Sequence, residues 1–133
     1  RSGKVNHMLV SPSDYIAKAK ATIKECSVRD VHQNRDAGTV LIDIREPAEF
    51  GRGHLPGAVL IPRGLLEFEI QKVLARCDGP PQDCDIVLYC GTGGRSALAA
   101  RSLDEMGFRN VRSMDGGIVA WAEARFPLEV PRG

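Results

Sequence analysis

The chain's 133 residues are 43% apolar and 26% charged, which suits one globular domain whose core needs no disulfide or metal staple and leaves no room for two. Eighteen Lys and Arg against 17 Asp and Glu leave a net charge of +1, so neither nucleic acid nor an anionic membrane surface is an expected partner. Apolar runs such as Thr39-Val40-Leu41-Ile42 and Ala58-Val59-Leu60-Ile61 are far too short to span a bilayer, and a soluble protein is expected.

In chain order, residues 1–10 are read as an N-terminal extension, because the chain begins at Arg1 rather than at a methionine. Ser11, Pro12 and Asp14 then form a helix start: a hydroxyl to cap, a proline for the first turn and a carboxylate for the dipole. Ile16, Ala19 and Ile23 share one face, which predicts a helix from Pro12 to Glu25. Val28 is taken to open a very short strand. Thr39 to Ile44, Ala58 to Ile61 and Ile86 to Tyr89 are nearly unbroken β-branched or apolar runs, the pattern of strands covered on both faces. Asn110 to Ser113 is a weaker strand.

Helical spacing fills the gaps. Leu66, Ile70, Val73 and Leu74 lie on one face within Gly64 to Arg76, and Ala97, Ala100 and Leu103 do so within Arg95 to Met106, before Gly107 stops that helix. Ile118, Trp121 and Ala122 suggest a last helix after the Gly116-Gly117 turn. Strands alternating with helices imply an α/β fold, a parallel central sheet flanked by helices on both faces. The domain is placed at residues 11–127, with residues 128–133 as a C-terminal tail outside the fold.

The four cysteines are Cys26, Cys77, Cys84 and Cys90. None are spaced as C-x-x-C, and His7, His32 and His54 cluster with none of them, so no metal site is expected. Cys77 and Cys84 flank the Gly79-Pro80-Pro81 loop and could approach each other. Free thiols in a reducing, cytoplasmic setting are nevertheless the expectation.

Chemistry concentrates in Val87-Leu88-Tyr89-Cys90-Gly91-Thr92-Gly93-Gly94-Arg95-Ser96-Ala97. An apolar strand delivers Cys90 to its carboxyl end, where open parallel sheets bind ligands. Gly91, Gly93 and Gly94 let the backbone curl and turn its N–H groups inward as an anion nest, to which a helix beginning near Arg95 adds its positive end. Such a cradle, with Arg95 as a fixed cation, favours the nucleophilic thiolate.

This loop resembles the active-site loop of rhodanese-type sulfurtransferases, and three further segments match the family in order. Leu41-Ile42-Asp43-Ile44-Arg45-Glu46-Pro47-Ala48-Glu49-Phe50 is similar to its opening strand and turn. Phe50-Gly51-Arg52-Gly53-His54-Leu55-Pro56-Gly57-Ala58 is similar to its F-x3-H-(apolar)-P-G-A signature, and Met114-Asp115-Gly116-Gly117-Ile118-Val119-Ala120-Trp121 to its closing G-G-x-x-x-W turn. The resemblance runs from about Ser27 to Phe126. It implies a single-domain rhodanese-like fold and a sulfurtransferase that moves a sulfane sulfur from thiosulfate or a related anionic donor to cyanide or a thiol, or to a sulfur-acceptor protein, through a persulfide on Cys90. Sulfite is a good leaving group, so no general acid, metal or organic cofactor is required.

The site residues expected are Cys90 as nucleophile, with Gly91, Thr92, Gly93, Gly94 and Arg95 binding substrate. Arg63, just after a strand and Pro62, is expected to face the mouth. Asp43, Arg45 and Ser96 are supporting residues, the first two as a mutual ion pair, and His54 fixes a turn. Two other readings stand beside this one. Cysteine phosphatases also cradle an anion in a Cys-loop-Arg turn, but with five intervening residues where this chain has four, and Asp115 is the only nearby acid to serve as proton donor. A non-catalytic rhodanese-like binding module is the other, against which the retention of Cys90 argues. The loop carries no basic residue before Arg95, which leaves a persulfide donor open beside thiosulfate.

Overall fold

A computed structural model describes residues 9–132. Five strands form one parallel sheet in the order β1-β5-β4-β2-β3: β1 (Lys24–Cys26), β2 (Val40–Asp43), β3 (Val59–Leu60), β4 (Ile86–Tyr89) and β5 (Val111–Met114). Every residue of β2 and β4 is buried, as unbroken apolar runs require. Alternate side chains go to opposite faces. Val40, Ile42, Ile86 and Leu88 pack with Leu66, Ile70 and Leu103, whereas Leu41, Val87 and Tyr89 pack with Val31, Leu55 and Trp121.

Helix α1 (Pro12–Lys20) starts as read, with the Ser11 hydroxyl accepting the Asp14 amide at 3.1 Å. It ends five residues before the expected Glu25. The amide and hydroxyl of Thr22 both bond to the Ala19 carbonyl at 3.0 Å, closing the last turn, and Lys24–Cys26 leaves to pair with β5 as the edge strand β1. Val28 opens not a strand but α2 (Val28–Asn34), because Ser27 caps it through the Asp30 amide at 2.9 Å.

After α3 (Pro47–Arg52), the stretch expected as one helix from Gly64 to Arg76 is broken into a 3-10 turn at Arg63–Leu65, α4 (Leu66–Glu69) and α5 (Gln71–Leu74). Its apolar face is kept, with Leu66, Ile70 and Val73 buried. Bonds from Val73 to Ile70 and from Arg76 to Val73 span three residues and tighten the backbone there. Helices α6 (Gly94–Glu105) and α7 (Gly117–Glu123) follow their sequence signals closely.

One expectation made outside the core is corrected. Cys77 and Cys84 are joined as a disulfide, their Cα atoms 5.6 Å apart across the Gly-Pro-Pro loop, within the span a disulfide needs. In the C-terminal tail, Glu129 exchanges two backbone bonds of 2.8 Å with His54. Of the N-terminal extension only Leu9 and Val10 lie within the described residues. Among the described residues no helix is long and apolar enough to cross a membrane.

Candidate active site

Strand β4 ends at Tyr89 and sets Cys90 at the carboxyl edge of the sheet, 1% exposed. The backbone then folds back over the sulfur. Gly93, at a φ of 104° that favours glycine, turns the chain into α6 and donates its amide to Cys90 Sγ at 3.2 Å. The Ser96 amide, in the first turn of α6, donates to the same atom at 3.3 Å. The thiol in turn lies 3.5 Å from Ser96 Oγ, and that hydroxyl shares a 2.7 Å bond with Ser113 Oγ on β5. Two backbone donors therefore converge on one sulfur atom, the arrangement that stabilises negative charge there.

The outer side of the loop is held by α7. The amides of Ile118 and Val119 donate to the carbonyls of Cys90 and Gly91 at 3.0 and 3.1 Å. With those carbonyls bound by α7, the Gly93 amide of the loop turns to the sulfur. This contact is so close that a Cβ on Gly117 would collide with both carbonyl oxygens. On the other flank, α1 leans on the loop, with Ile16 Cδ1 3.2 Å from where a Gly94 Cβ would stand.

Arg95 lies beside the loop but is tied to Glu49, with bonds of 3.0 and 3.3 Å. That pairing, together with the Glu46 amide, holds the Glu49 carboxyl at about 2, well below the ordinary carboxylate range. Glu49 was not singled out from the sequence. The available signal was its place three residues after Glu46, where the two side chains form a reciprocal capping box around Pro47.

Beneath the loop lies a buried polar network. Asp43 is fully buried and binds Arg45 through its guanidinium at 2.7 Å, while the Tyr89 hydroxyl donates to Asp43 Oδ2 at 2.7 Å. Burial and the neighbouring Asp43 charge push the Tyr89 phenol far above its ordinary value, so it remains a donor. Arg45 also donates to the Gly53 carbonyl at 2.7 Å, and the Leu55 amide donates to the Tyr89 oxygen at 3.1 Å. The mutual ion pair of Asp43 and Arg45 thus fixes the Gly53-His54-Leu55 turn. His54 stacks on Phe50 at 4.0 Å, and its Nδ1 lies 2.8 Å from the Leu55 carbonyl, a turn-holding geometry.

The loop brings Gly91, Gly93, Gly94, Arg95 and Ser96 around Cys90, and leaves the Thr92 side chain exposed. Arg63 is placed differently. Its amide bonds to the Ile44 carbonyl at the sheet edge, but its guanidinium is clasped by Glu67 at 3.0 and 2.8 Å, in a cleft along α6. Ser113 and the α7 amides were invisible in the sequence because only tertiary packing brings them to the loop.

Comparison with known proteins agrees with this geometry. Residues 27–124 match the rhodanese-like domain family. A sulfurtransferase of Allochromatium vinosum is 36% identical over 71% of this chain and 81% of its own. A thiosulfate sulfurtransferase GlpE of Ectopseudomonas mendocina is 33% identical over 83% of this chain and 94% of its own. Among solved structures, a protein of Rhodopseudomonas palustris described as a possible tyrosine phosphatase superposes with a TM-score of 0.77 at 33% identity, covering 90% of this chain and 95% of that one. The polysulfide-sulfur transferase homodimer of Wolinella succinogenes follows with a TM-score of 0.69 at 27% identity, over 88% and 85%. With a single five-stranded parallel sheet, a cysteine cradled at its carboxyl edge and a family match across most of its length, the chain belongs to the rhodanese-like domain family.

Proposed function

We propose that the protein moves a sulfane sulfur from thiosulfate, or a related anionic donor such as a persulfide, to cyanide or a thiol by way of a persulfide on Cys90. The observation that carries this reading is the convergence of the Gly93 and Ser96 amides on Cys90 Sγ, at 3.2 and 3.3 Å. The Cys90 sulfur attacks the outer sulfur of thiosulfate, the S–S bond breaks, and sulfite leaves with its electron pair. An acceptor then takes the outer sulfur and returns Cys90 to its starting state, so one difficult transfer becomes two displacements. Gly91, Thr92, Gly93, Gly94 and Arg95 form the donor's binding site, and Asp43, Arg45 and Ser96 support it. The reaction calls for no metal or organic cofactor. Relatives named sulfurtransferase support the same class of chemistry.

Phosphate ester hydrolysis is the rival reading, and the name of one structural relative raises it. The loop here has four residues between Cys90 and Arg95 where cysteine phosphatases have five, and the Gly93 and Ser96 amides meet on the single atom Cys90 Sγ. Asp115, whose Oδ1 lies 3.8 Å from where a Gly93 Cβ would stand, is bonded by Lys20 at 3.1 Å, a partner that a general acid for an alkoxide would have to give up. The test is intact mass after incubation with thiosulfate. A gain of one sulfur atom, removed again by cyanide, is expected for the parent and absent in Cys90→Ser. Thiocyanate formation by the serine variant near the parent rate would overturn the proposal.

A further inference from the structure

Gly91, Thr92, Gly93 and Gly94 carry no charge, so Arg95 is the cation that the loop segment itself supplies. Its guanidinium lies against the loop backbone, with Nη2 3.2 Å from where a Gly91 Cβ would stand. Glu49 first, and after it the Cys90 sulfur, hold this guanidinium above its ordinary value against the opposing effect of burial. The cation therefore faces both the reactive sulfur and a carboxylate that reaches it from α3.

That carboxylate is fixed from behind. Glu49 Oε1 accepts the Glu46 amide at 2.9 Å, while its two oxygens bind the two ends of the Arg95 fork at 3.0 and 3.3 Å, the paired geometry that guanidinium and carboxylate favour. Lys20, the cation on the α1 side, is matched as well. It binds Asp115 at 3.1 Å and Glu25 at 3.4 Å, and Asp115 Oδ1 is 3.8 Å from where a Gly93 Cβ would stand. Two cations thus face three carboxylates, and these groups leave no positive surplus for an incoming anion. A second charge on a donor would lose its water on entry and gain nothing from an arginine that is already paired.

The geometry points to Glu49 as a positioning residue that holds and offsets Arg95, so that the loop selects a sulfane donor with a single negative charge over one with two. The assignment rests on the sulfur-transfer reading and narrows its donor class. Thiosulfate and methanethiosulfonate differ by this one charge, a methyl group standing in the second where the first has an anionic oxygen. With either, the Cys90 thiolate bonds to the donor's outer sulfur and the S–S bond breaks. Sulfite or methanesulfinate leaves with the electron pair, so no oxidant or reductant is consumed.

The test measures kcat/KM for the two donors at low salt, with cyanide as acceptor, in the parent, Glu49→Gln and Glu49→Asp. Glu49→Gln removes the charge and is expected to raise kcat/KM about four-fold for thiosulfate and about two-fold for methanethiosulfonate, the effect of one part-exposed charge on a dianion and a monoanion. The difference should close at about 0.5 M salt. Glu49→Asp keeps the charge on a shorter arm and should retain the parent's donor preference. Equal changes for both donors, or the same shift in Glu49→Asp, would overturn the assignment, because they report the loop's shape and not its charge. Alkylation of Cys90 needs no sulfur transfer and separates the two readings. Its rate with anionic iodoacetate, relative to neutral iodoacetamide, should rise about two-fold in Glu49→Gln. That result upholds the role of Glu49 even if thiosulfate leaves no sulfur on Cys90. An unchanged ratio sinks it even if sulfur transfer to cyanide proceeds.

Discussion

Asp43 carries more of the site's geometry than its distance from the chemistry suggests. Its carboxylate is fully buried and is bonded by Arg45 and by the Tyr89 hydroxyl, and Arg45 reaches on to the Gly53 carbonyl. Removing one member of a buried ion pair leaves the other charge uncompensated, at a cost of about 3–5 kcal/mol. Asp43→Asn should therefore lower stability by about 3 kcal/mol in denaturant unfolding, since asparagine keeps the shape and some hydrogen bonding but not the charge. A loss below about 1 kcal/mol would show that Arg45 finds water or another partner. The sequence placed these two residues together at a strand end, but Tyr89 entered the network unannounced, because it arrives from a neighbouring strand.

At the scale of elements, the loop is a product of two helix starts pressed against one strand end. The Gly93 amide, just before α6, and the Ser96 amide in its first turn meet Cys90 Sγ, and α7 draws the carbonyls of Cys90 and Gly91 to itself. Gly117 permits the second contact, since its φ is 57° and a side chain would strike both carbonyls. Gly117→Ala is expected to cost about 2 kcal/mol in strain and to slow sulfur transfer by roughly 10–100-fold, as displaced reacting groups do. Retention of the parent rate would mean that the loop holds its shape without α7. Inserting one glycine between Gly93 and Gly94 tests the ring size instead. Sulfur transfer should again fall by roughly 10–100-fold, while weak hydrolysis of an aryl phosphate appears. A parent protein that hydrolyses aryl phosphate faster than it transfers sulfur would reverse the assignment.

For the molecule as a whole, the sheet separates function from fastening. Cys90 sits at the carboxyl edge, whereas the Cys77–Cys84 loop leads into the start of β4 at the opposite edge. Closing a loop this short is worth about 2 kcal/mol by its effect on the unfolded chain. Alkylation of the denatured, unreduced protein should label Cys26 and Cys90 only, and all four cysteines after reduction. The Cys77→Ser, Cys84→Ser double variant should melt several degrees lower with its sulfur transfer intact. Labelling of four thiols before reduction would return the pair to the free state read from the sequence.

Local chemistry made the parallel sheet, the cysteine at its edge and the glycine nest legible in the residues alone. The unbroken apolar runs of β2 and β4 are strands buried on both faces, although the run read the same way at Ala58 to Ile61 gives the half-buried edge strand β3, and Cys90 through Ser96 builds its cradle from its own backbone. The same local signals misread Glu25 and Val28, where edge pairing with β5 and the Ser27 cap prevailed over helical spacing and β-branching. Only the tertiary structure decided that Arg95 binds Glu49, that α7 clamps the loop and that Cys77 meets Cys84. Each of these joins residues brought together by packing or by the return of a loop. Side-chain type records what a residue can bond to, and the fold selects which partner comes within reach.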